Sequence, residues 1–375
     1  MKFDILSEYC FVNMGQSPAS ETYNNNADGL PFYQGNADFG EIHPQTRIWC
    51  SAPVKIANKG DLLISVRAPI GALNIATEQC CIGRGLAALT PKLDKCRIKY
   101  IYFAIQSQIN FLIANGTGST FKAVNKNTLE NLLIPVSSLN KQDEIVNIFE
   151  KLNNIINKRK EQLLLMDNAV KSRFIEMFGD VVINSKNWEQ ATLKNVAIGK
   201  LTYGSGASAI NFNGKIRYIR ITDISNDGEL NDDIKSPSIC DNKYLLNDGD
   251  ILFARSGATV GKTFCFNKKR YGEAIYAGYL IRMIPDKKRV LPIYVFYYTK
   301  TDYYMSFISK AQKAVAQPNI NAQEYGDLKI CVPPIELQQR FVDFVKQTDK
   351  SKLEIQKSLD KLEILKKSLM QQYFG

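Results

Sequence analysis

Histidine is nearly absent from this sequence: of 375 residues, only His43 is one. A Ser-His-Asp triad, a Cys-His pair or a multi-histidine metal site would each depend on that residue. It lies in Glu41-Ile42-His43-Pro44, which reads as a turn. Most hydrolase chemistries therefore lack their usual base. The eight cysteines show no Cys-x-x-Cys spacing, so zinc ribbons and small disulfide frameworks are not expected. They read as reduced, buried thiols. No apolar run approaches the roughly 18–20 residues that span a bilayer. The opening Met1-Lys2-Phe3-Asp4-Ile5-Leu6-Ser7-Glu8 carries acids where a signal peptide needs an apolar stretch. A cytoplasmic protein without a membrane partner is expected.

Other absences concern catalysis. Gly257-Ala258-Thr259-Val260-Gly261-Lys262-Thr263 looks like a phosphate loop, but Walker A needs four residues between its glycines and here there are three. No Asn-Pro-Pro-Tyr or Asp-Pro-Pro-Tyr run is present to hold a flipped base. Asp233-Ile234-Lys235 is a carboxylate-x-lysine fragment of the kind nucleases use, yet it sits in an Asn/Asp-rich turn. With no catalytic constellation and no metal site, binding is the expected activity, and the chain is expected not to be an enzyme.

What is present is charge and repetition. With 45% hydrophobic and 23% charged residues, the composition is that of an ordinary globular protein with more than one core. The net charge is +11, which favours a polyanionic partner. Residues 1–180 carry 19 basic and 17 acidic side chains, against 29 and 20 in 181–375. The excess sits in the second half.

Residues 129–179 align with 325–375 without gaps, at a constant offset of 196. Identities include Leu132/Leu328, Gln142/Gln338, Val146/Val342, Lys171/Lys367, Ser172/Ser368, Phe178/Phe374 and Gly179/Gly375. Upstream the offset drifts: Gly15 matches Gly204, Gly60-Asp61 matches Gly249-Asp250, and Gly71 matches Gly261. One unit is written twice. Each copy begins with short β-type runs and crosses a proline boundary at Pro135 or Pro333-Pro334. Residues 141–178 and 337–374 then hold no proline or glycine and show helical periodicity, through Phe149, Ile156, Leu163, Val170 and Met177 in the first. Stripes that long need cover, and the matching stripe of the other copy, packed antiparallel, would supply it.

The expected fold is α+β: two tandem-repeat α/β domains, which the resemblance described next makes target-recognition domains, separated by two long antiparallel coiled-coil helices. The expected division is 1–138, a first helix at 139–180, 181–335, and a second helix at 336–375.

The ordered set of motifs resembles the specificity subunit of type I restriction-modification systems. The resemblance rests on Met14-Gly15-Gln16-Ser17-Pro18 followed by Leu30-Pro31-Phe32-Tyr33-Gln34-Gly35-Asn36. The second copy answers with Tyr218-Ile219-Arg220-Ile221-Thr222-Asp223-Ile224 and Gly249-Asp250-Ile251-Leu252-Phe253-Ala254-Arg255-Ser256-Gly257. It implies that each domain reads one half of a bipartite, asymmetric site in double-stranded DNA. The helices would set the spacing and dock two DNA adenine methylation subunits. S-adenosylmethionine, and ATP with Mg, would then belong to those and to further restriction/translocase subunits, and this chain would bind no cofactor itself.

Base edges are read by Arg on guanine and by Gln or Asn on adenine. The base-reading candidates are Gln16, Ser17, Gln34, Asn36 and Arg67 in the first domain. In the second they are Ser205, Arg220, Thr222, Arg255, Ser256, Gln317 and Asn319, with Arg220 and Arg255 foremost. Phosphate candidates are Lys122, Lys262, Lys268, Lys269, Arg270, Lys287, Lys288 and Arg289. Two rivals make other predictions: a coiled-coil protein-interaction adaptor would show no sequence-dependent DNA binding, and a nuclease would cut with magnesium.

Overall fold

The repeat in the sequence is a repeat of strand pairings. In the computed structural model, which describes residues 2–116, 123–313 and 318–375, each copy opens by pairing its first strand with its last. Lys2–Ile5 runs antiparallel to Leu133–Val136, and Glu189–Thr192 runs antiparallel to Lys329–Val332. A four-stranded antiparallel sheet follows in both. Its order is Cys10–Met14, Leu86–Pro91, Leu62–Ser65, Leu73–Ile75 in the first copy. In the second it is Thr202–Tyr203, Leu280–Met283, Ile251–Ala254, Thr263–Cys265. Each copy also carries one parallel pairing, of Leu30–Tyr33 with Cys80–Ile82 and of Arg217–Ile219 with Ala274–Tyr276.

Two of the sequence matches have direct physical causes. A Cβ on Gly15 would lie 2.2 Å from the carbonyl oxygen of Gly83, and one on Gly204 would lie 2.3 Å from that of Ala277. Only glycine lets the two backbones approach this closely. The carboxylates of Asp61 and Asp250 are buried at equivalent strand starts, where each accepts the N–H three residues earlier, from Asn58 at 2.8 Å and Asn247 at 2.6 Å. Burial pushes both carboxyls above their ordinary range, and in the second copy Arg282 answers Asp250 at 2.6 Å.

The proline boundaries lead into two helices of 40 residues each, Leu139–Phe178 and Ile335–Phe374. At 1.5 Å per residue each is about 60 Å long. The chain divides into two compact units in a way that the linear boundaries at 138/139 and 335/336 do not describe. Met1–Lys160 joins Lys357–Gly375 in unit 1, and Glu161–Gln356 forms unit 2. Both long helices are cut near their middles, because each unit's core takes in the start of one helix and the end of the other.

Within unit 1 the two helix segments run antiparallel: Phe149 meets Phe374, with ring centroids 5.8 Å apart, and Lys160 pairs with Glu363 at 3.3 Å. Within unit 2, Phe174 meets Phe341 at 5.4 Å and Asp167 pairs with Lys352 at 2.6 Å. The closing Phe of each helix finds an equivalent tyrosine. Phe374 packs on Tyr100 at 5.2 Å, and Phe178 packs on Tyr294 at 4.8 Å. Both tyrosine hydroxyls donate to equivalent carbonyls, of Pro135 and Cys331.

The identity Gln142/Gln338 is a buried amide clamp. The amide nitrogen of Gln142 donates to the carbonyls of Lys95 and Ser137, and its oxygen accepts from the N–H of Arg97. Gln338 repeats this with Arg289, Pro333 and Leu291. Both side chains are fully enclosed.

Two outcomes are expected. Gln142→Ala orphans buried backbone groups at a cost of roughly 1–3 kcal/mol each, so amides of Ile98–Ser107 should lose hydrogen-exchange protection while Pro292–Tyr298 keep theirs. Phe374→Ala removes a buried ring at about 3–5 kcal/mol, and its loss of protection should also fall on unit 1, 267 residues away in sequence at Ser107. A loss spread equally over both units would contradict this assignment.

Candidate nucleic-acid interface

Four backbone bonds frame the same place in each unit. In unit 1, the N–H of Gln16 donates to Ile82 (3.0 Å), Gly83 to Tyr33 (2.8 Å), Val66 to Gly85 (2.9 Å) and Val124 to Val66 (2.8 Å). In unit 2, Ser205 donates to Tyr276 (2.8 Å), Ala277 to Ile219 (2.9 Å), Arg255 to Tyr279 (3.1 Å) and Ile320 to Arg255 (2.8 Å). The frames therefore correspond residue by residue. Gln16 stands where Ser205 stands, Gln34 where Arg220 does, Arg67 where Ser256 does, and Arg84 where Gly278 does.

In unit 1 this frame encloses a pocket of about 190 Å³ lined by Ser17, Gln34, Asn36, Arg67 and Arg84, among others. Four of the candidates thus converge, while Gln16 is exposed outside the lining. Among the described residues, the side chains of Gln34, Asn36, Arg67 and Arg84 make no hydrogen bond or ion pair. Other amides of the unit are engaged: Asn13, Asn24, Asn74 and Gln142 all hold backbone. Ser17 is engaged as well, its hydroxyl accepting the N–H of Arg84 at 3.3 Å.

The loop after Tyr33 is held by buried Asp38, which accepts the N–H of Gln34 at 2.7 Å and the guanidinium of Arg47 at 2.5 Å. In unit 2 buried Asp223 does the same for Arg220, but here the clamping guanidinium is that of Arg220 itself. Arg220 also reaches Asp233 at 2.9 Å, and Asp233 holds Lys235 at 3.1 Å. These two cations hold the Asp233 carboxyl below its ordinary range. Arg220 is therefore a loop clamp rather than a free reading head. The fragment Asp233-Ile234-Lys235 is part of the same ion-pair cluster.

The other second-domain candidates divide. Ser205 is buried, and its hydroxyl accepts the N–H of Ala207 at 3.1 Å, so it is turned inward. Thr222 is exposed, with its hydroxyl 3.3 Å from Asp223. Ser256 bridges to Asn319, and Asn319 accepts from Nε of Arg255 at 3.2 Å. The same guanidinium lies 4.7 Å from the ring centroid of Tyr203. Among the described residues, the two terminal nitrogens of Arg255 make no hydrogen bond, while its Nε is held by Asn319. Tyr203 was not among the sequence candidates, although its place beside Gly204 in the repeat pointed to it. Gln317 and Lys122 lie outside the described residues.

The phosphate candidates are mostly occupied. Lys262 donates to the carbonyl of Ile224 at 3.0 Å. Lys268 pairs with Glu273 and Arg270 with Glu229, both at 2.7 Å, and Arg289 pairs with Glu189. Lys287 reaches the carbonyl of Asp248 at 3.4 Å. Arg270 and Lys287 line a cleft of about 780 Å³ together with Glu229 and Asp248. Lys269 and Lys288 have no side-chain partner among the described residues. Exposed pairs contribute only about 0–1 kcal/mol, so Lys268 and Arg270 can exchange a carboxylate for a phosphate at little cost. No group of three metal-ligating side chains occurs among the described residues, and no helix there is long and apolar enough to cross a membrane.

One strand frame used twice, with different side chains on it each time, defines a tandem α+β binding protein. The model of the type I restriction modification DNA specificity domain matches residues 5–165 and again 185–365. Over 159 residues the chain is 40% identical to the type I restriction enzyme MjaX specificity subunit of Methanocaldococcus jannaschii, a match covering 41% of this chain and 37% of that relative. It is 20% identical over 412 residues to the EcoBI specificity subunit of Escherichia coli, covering 97% of this chain and 83% of that one. The crystal structure of a type I restriction-modification S subunit from M. genitalium shares the fold, with a TM-score of 0.60 at 15% identity over 100% of this chain and 96% of that one. The chain belongs to the family of type I restriction-modification specificity subunits, with two DNA-specificity domains in tandem.

Arg220→Ala would leave the buried carboxylate of Asp223 without its countercharge. A loss of about 2–3 kcal/mol is expected, discounted for the part-exposed arginine, in urea unfolding followed by Trp188 fluorescence in a Trp49→Phe background. An unchanged midpoint would return Arg220 to the reading heads.

Proposed function

We propose that this specificity subunit directs a type I complex to a bipartite, asymmetric site in double-stranded DNA. Each domain reads one half-site, and the long helices act as a coiled-coil spacer that sets the distance between the halves. The observation that carries this reading is the pair of equivalent frames bearing unlike heads: Gln34 against a clamped Arg220, Arg67 against Ser256, and Arg84 against Gly278. Identical readers would call for a symmetric site, and these are not identical.

The helices also dock two DNA adenine methylation subunits, and restriction/translocase subunits join in the full assembly. Support comes from large apolar side chains that the helix contacts leave exposed: Ile148, Ile155, Ile364 and Leu365 in unit 1, and Leu164, Leu165, Ile175 and Leu353 in unit 2. Exposed apolar residues at this density mark contact surfaces. The chain itself is non-catalytic and cytoplasmic in this reading. S-adenosylmethionine and Mg-ATP belong to the partners.

Deleting the gene should abolish adenine methylation at one split motif with a fixed spacer, and leave all other methylation in the source cell intact. A map that keeps every split motif would overturn the reading. At the level of residues, Arg255→Ala should relax base choice at one position of one half-site, at about 1–3 kcal/mol. Lys288→Ala should weaken cognate and scrambled duplexes alike and lower the salt slope by roughly 0.9. Equal losses on both duplexes for both variants would refute that division.

A further inference from the structure

The residue between Gly83 and Gly85 is fixed on every side by backbone. Gly83 donates to Tyr33 at 2.8 Å, Leu86 donates to Gly83 at 2.9 Å, and Val66 donates to Gly85 at 2.9 Å. The N–H of Arg84 itself donates to the hydroxyl of Ser17. A Cβ on Gly85 would lie 2.2 Å from the carbonyl oxygen of Gln34, so the turn is pressed against the strand that carries Gln34. Yet the Arg84 side chain, so tightly based, is exposed and makes no hydrogen bond or ion pair among the described residues. A fixed base with a free head is the arrangement expected of a group kept for an external partner.

Unit 2 provides the internal control. Ala277 donates to Ile219 at 2.9 Å, Leu280 to Ala277 at 2.9 Å, and Arg255 to Tyr279 at 3.1 Å. Gly278 takes the place of Arg84, its N–H donating to the carbonyl of Ser205 at 2.8 Å. The same turn is built without a side chain. The fold therefore has no need of the arginine, and a general phosphate contact would serve both units equally.

We infer that Arg84 is a specificity-determining residue for guanine in the half-site read by unit 1, with Arg67 beside it in the same pocket. The planar guanidinium offers two parallel N–H donors to the O6 and N7 acceptors on the major-groove edge of guanine, and no other base presents that pair of acceptors. Gln34 and Asn36, free in the same pocket, suit adenine, so the first half-site is expected to combine guanine with adenine. Unit 2 reads its half-site without this contact. The inference rests on the DNA-reading role proposed above.

The test selects random duplexes with the purified full-length chain, as wild type, Arg84→Ala and Arg84→Lys. The wild-type chain should enrich a split motif with guanine at one position of the first half. Both variants should lower discrimination at that position by about 5- to 150-fold and leave the second half-site unchanged. Lysine keeps the charge but loses the two-pronged fork, so it should not restore the preference. If Arg84→Ala weakens all sequences alike and Arg84→Lys recovers the loss, Arg84 is a phosphate contact and the inference fails while DNA reading stands. If the wild-type chain enriches no motif, the DNA-reading role itself fails.

Discussion

The structure depends on one buried amide used twice. Gln142 and Gln338 each join the first turn of a long helix to the backbone of the segment that follows the sheet, through three hydrogen bonds apiece. A glutamine is the smallest side chain that can both donate twice and accept from this depth. Any apolar residue of the same shape would leave the backbone groups of Arg97 and Lys95, or of Leu291 and Arg289, without partners in a place water does not reach. This fixes the direction in which each helix leaves its sheet.

With that direction set, the helix ends complete the cores. Each unit lacks an aromatic plug until the closing Phe of the other repeat's helix arrives: Phe374 against Tyr100, Phe178 against Tyr294. A unit is thus not a contiguous piece of chain. The matched endings Phe178-Gly179 and Phe374-Gly375 are explained by this exchange, since both phenylalanines fill the same kind of hole. Two lysines of the long helices fit as well. Lys160 and Lys352 answer Glu363 and Asp167 across their own helix pairs.

The repeat, the helices and the pairing frame were legible in the sequence because they rest on constraints that admit few residues: a buried amide, a glycine under a carbonyl, a carboxylate at a strand start. The base-reading candidates were harder to place, for a reason Arg220 makes plain. Both units need a cation for the buried carboxylate that holds the loop, and unit 1 draws it from Arg47 while unit 2 draws it from the head position itself. Pattern alone does not say which arginine is spent. Ser205 was misleading in the same way, turned inward to its own turn. Arg84, the residue of the further inference, was not among the sequence candidates, although it is an arginine between two glycines where the other copy reads Ala277-Gly278-Tyr279.

In the proposed reading, specificity follows from what the frame leaves unpaired among the described residues. Gln34, Asn36, Arg67 and Arg84, whose side chains have no hydrogen bond or ion pair among the described residues, cost little while water solvates them. In the same reading, DNA closing over the pocket would remove that water, and each donor would have to find an acceptor on a base edge or remain unsatisfied, at roughly 1–3 kcal/mol per group. On that proposal the correct base would be favoured chiefly because wrong ones incur this cost. Such a mechanism needs heads that cannot relax toward a partner inside the protein, so the backbone beneath them must be rigid. The tight turn at Gly83-Arg84-Gly85 and the hold of Asp38 on the N–H of Gln34 supply that rigidity, and the side chains at these positions differ from one copy to the other while the strand pairings stay the same.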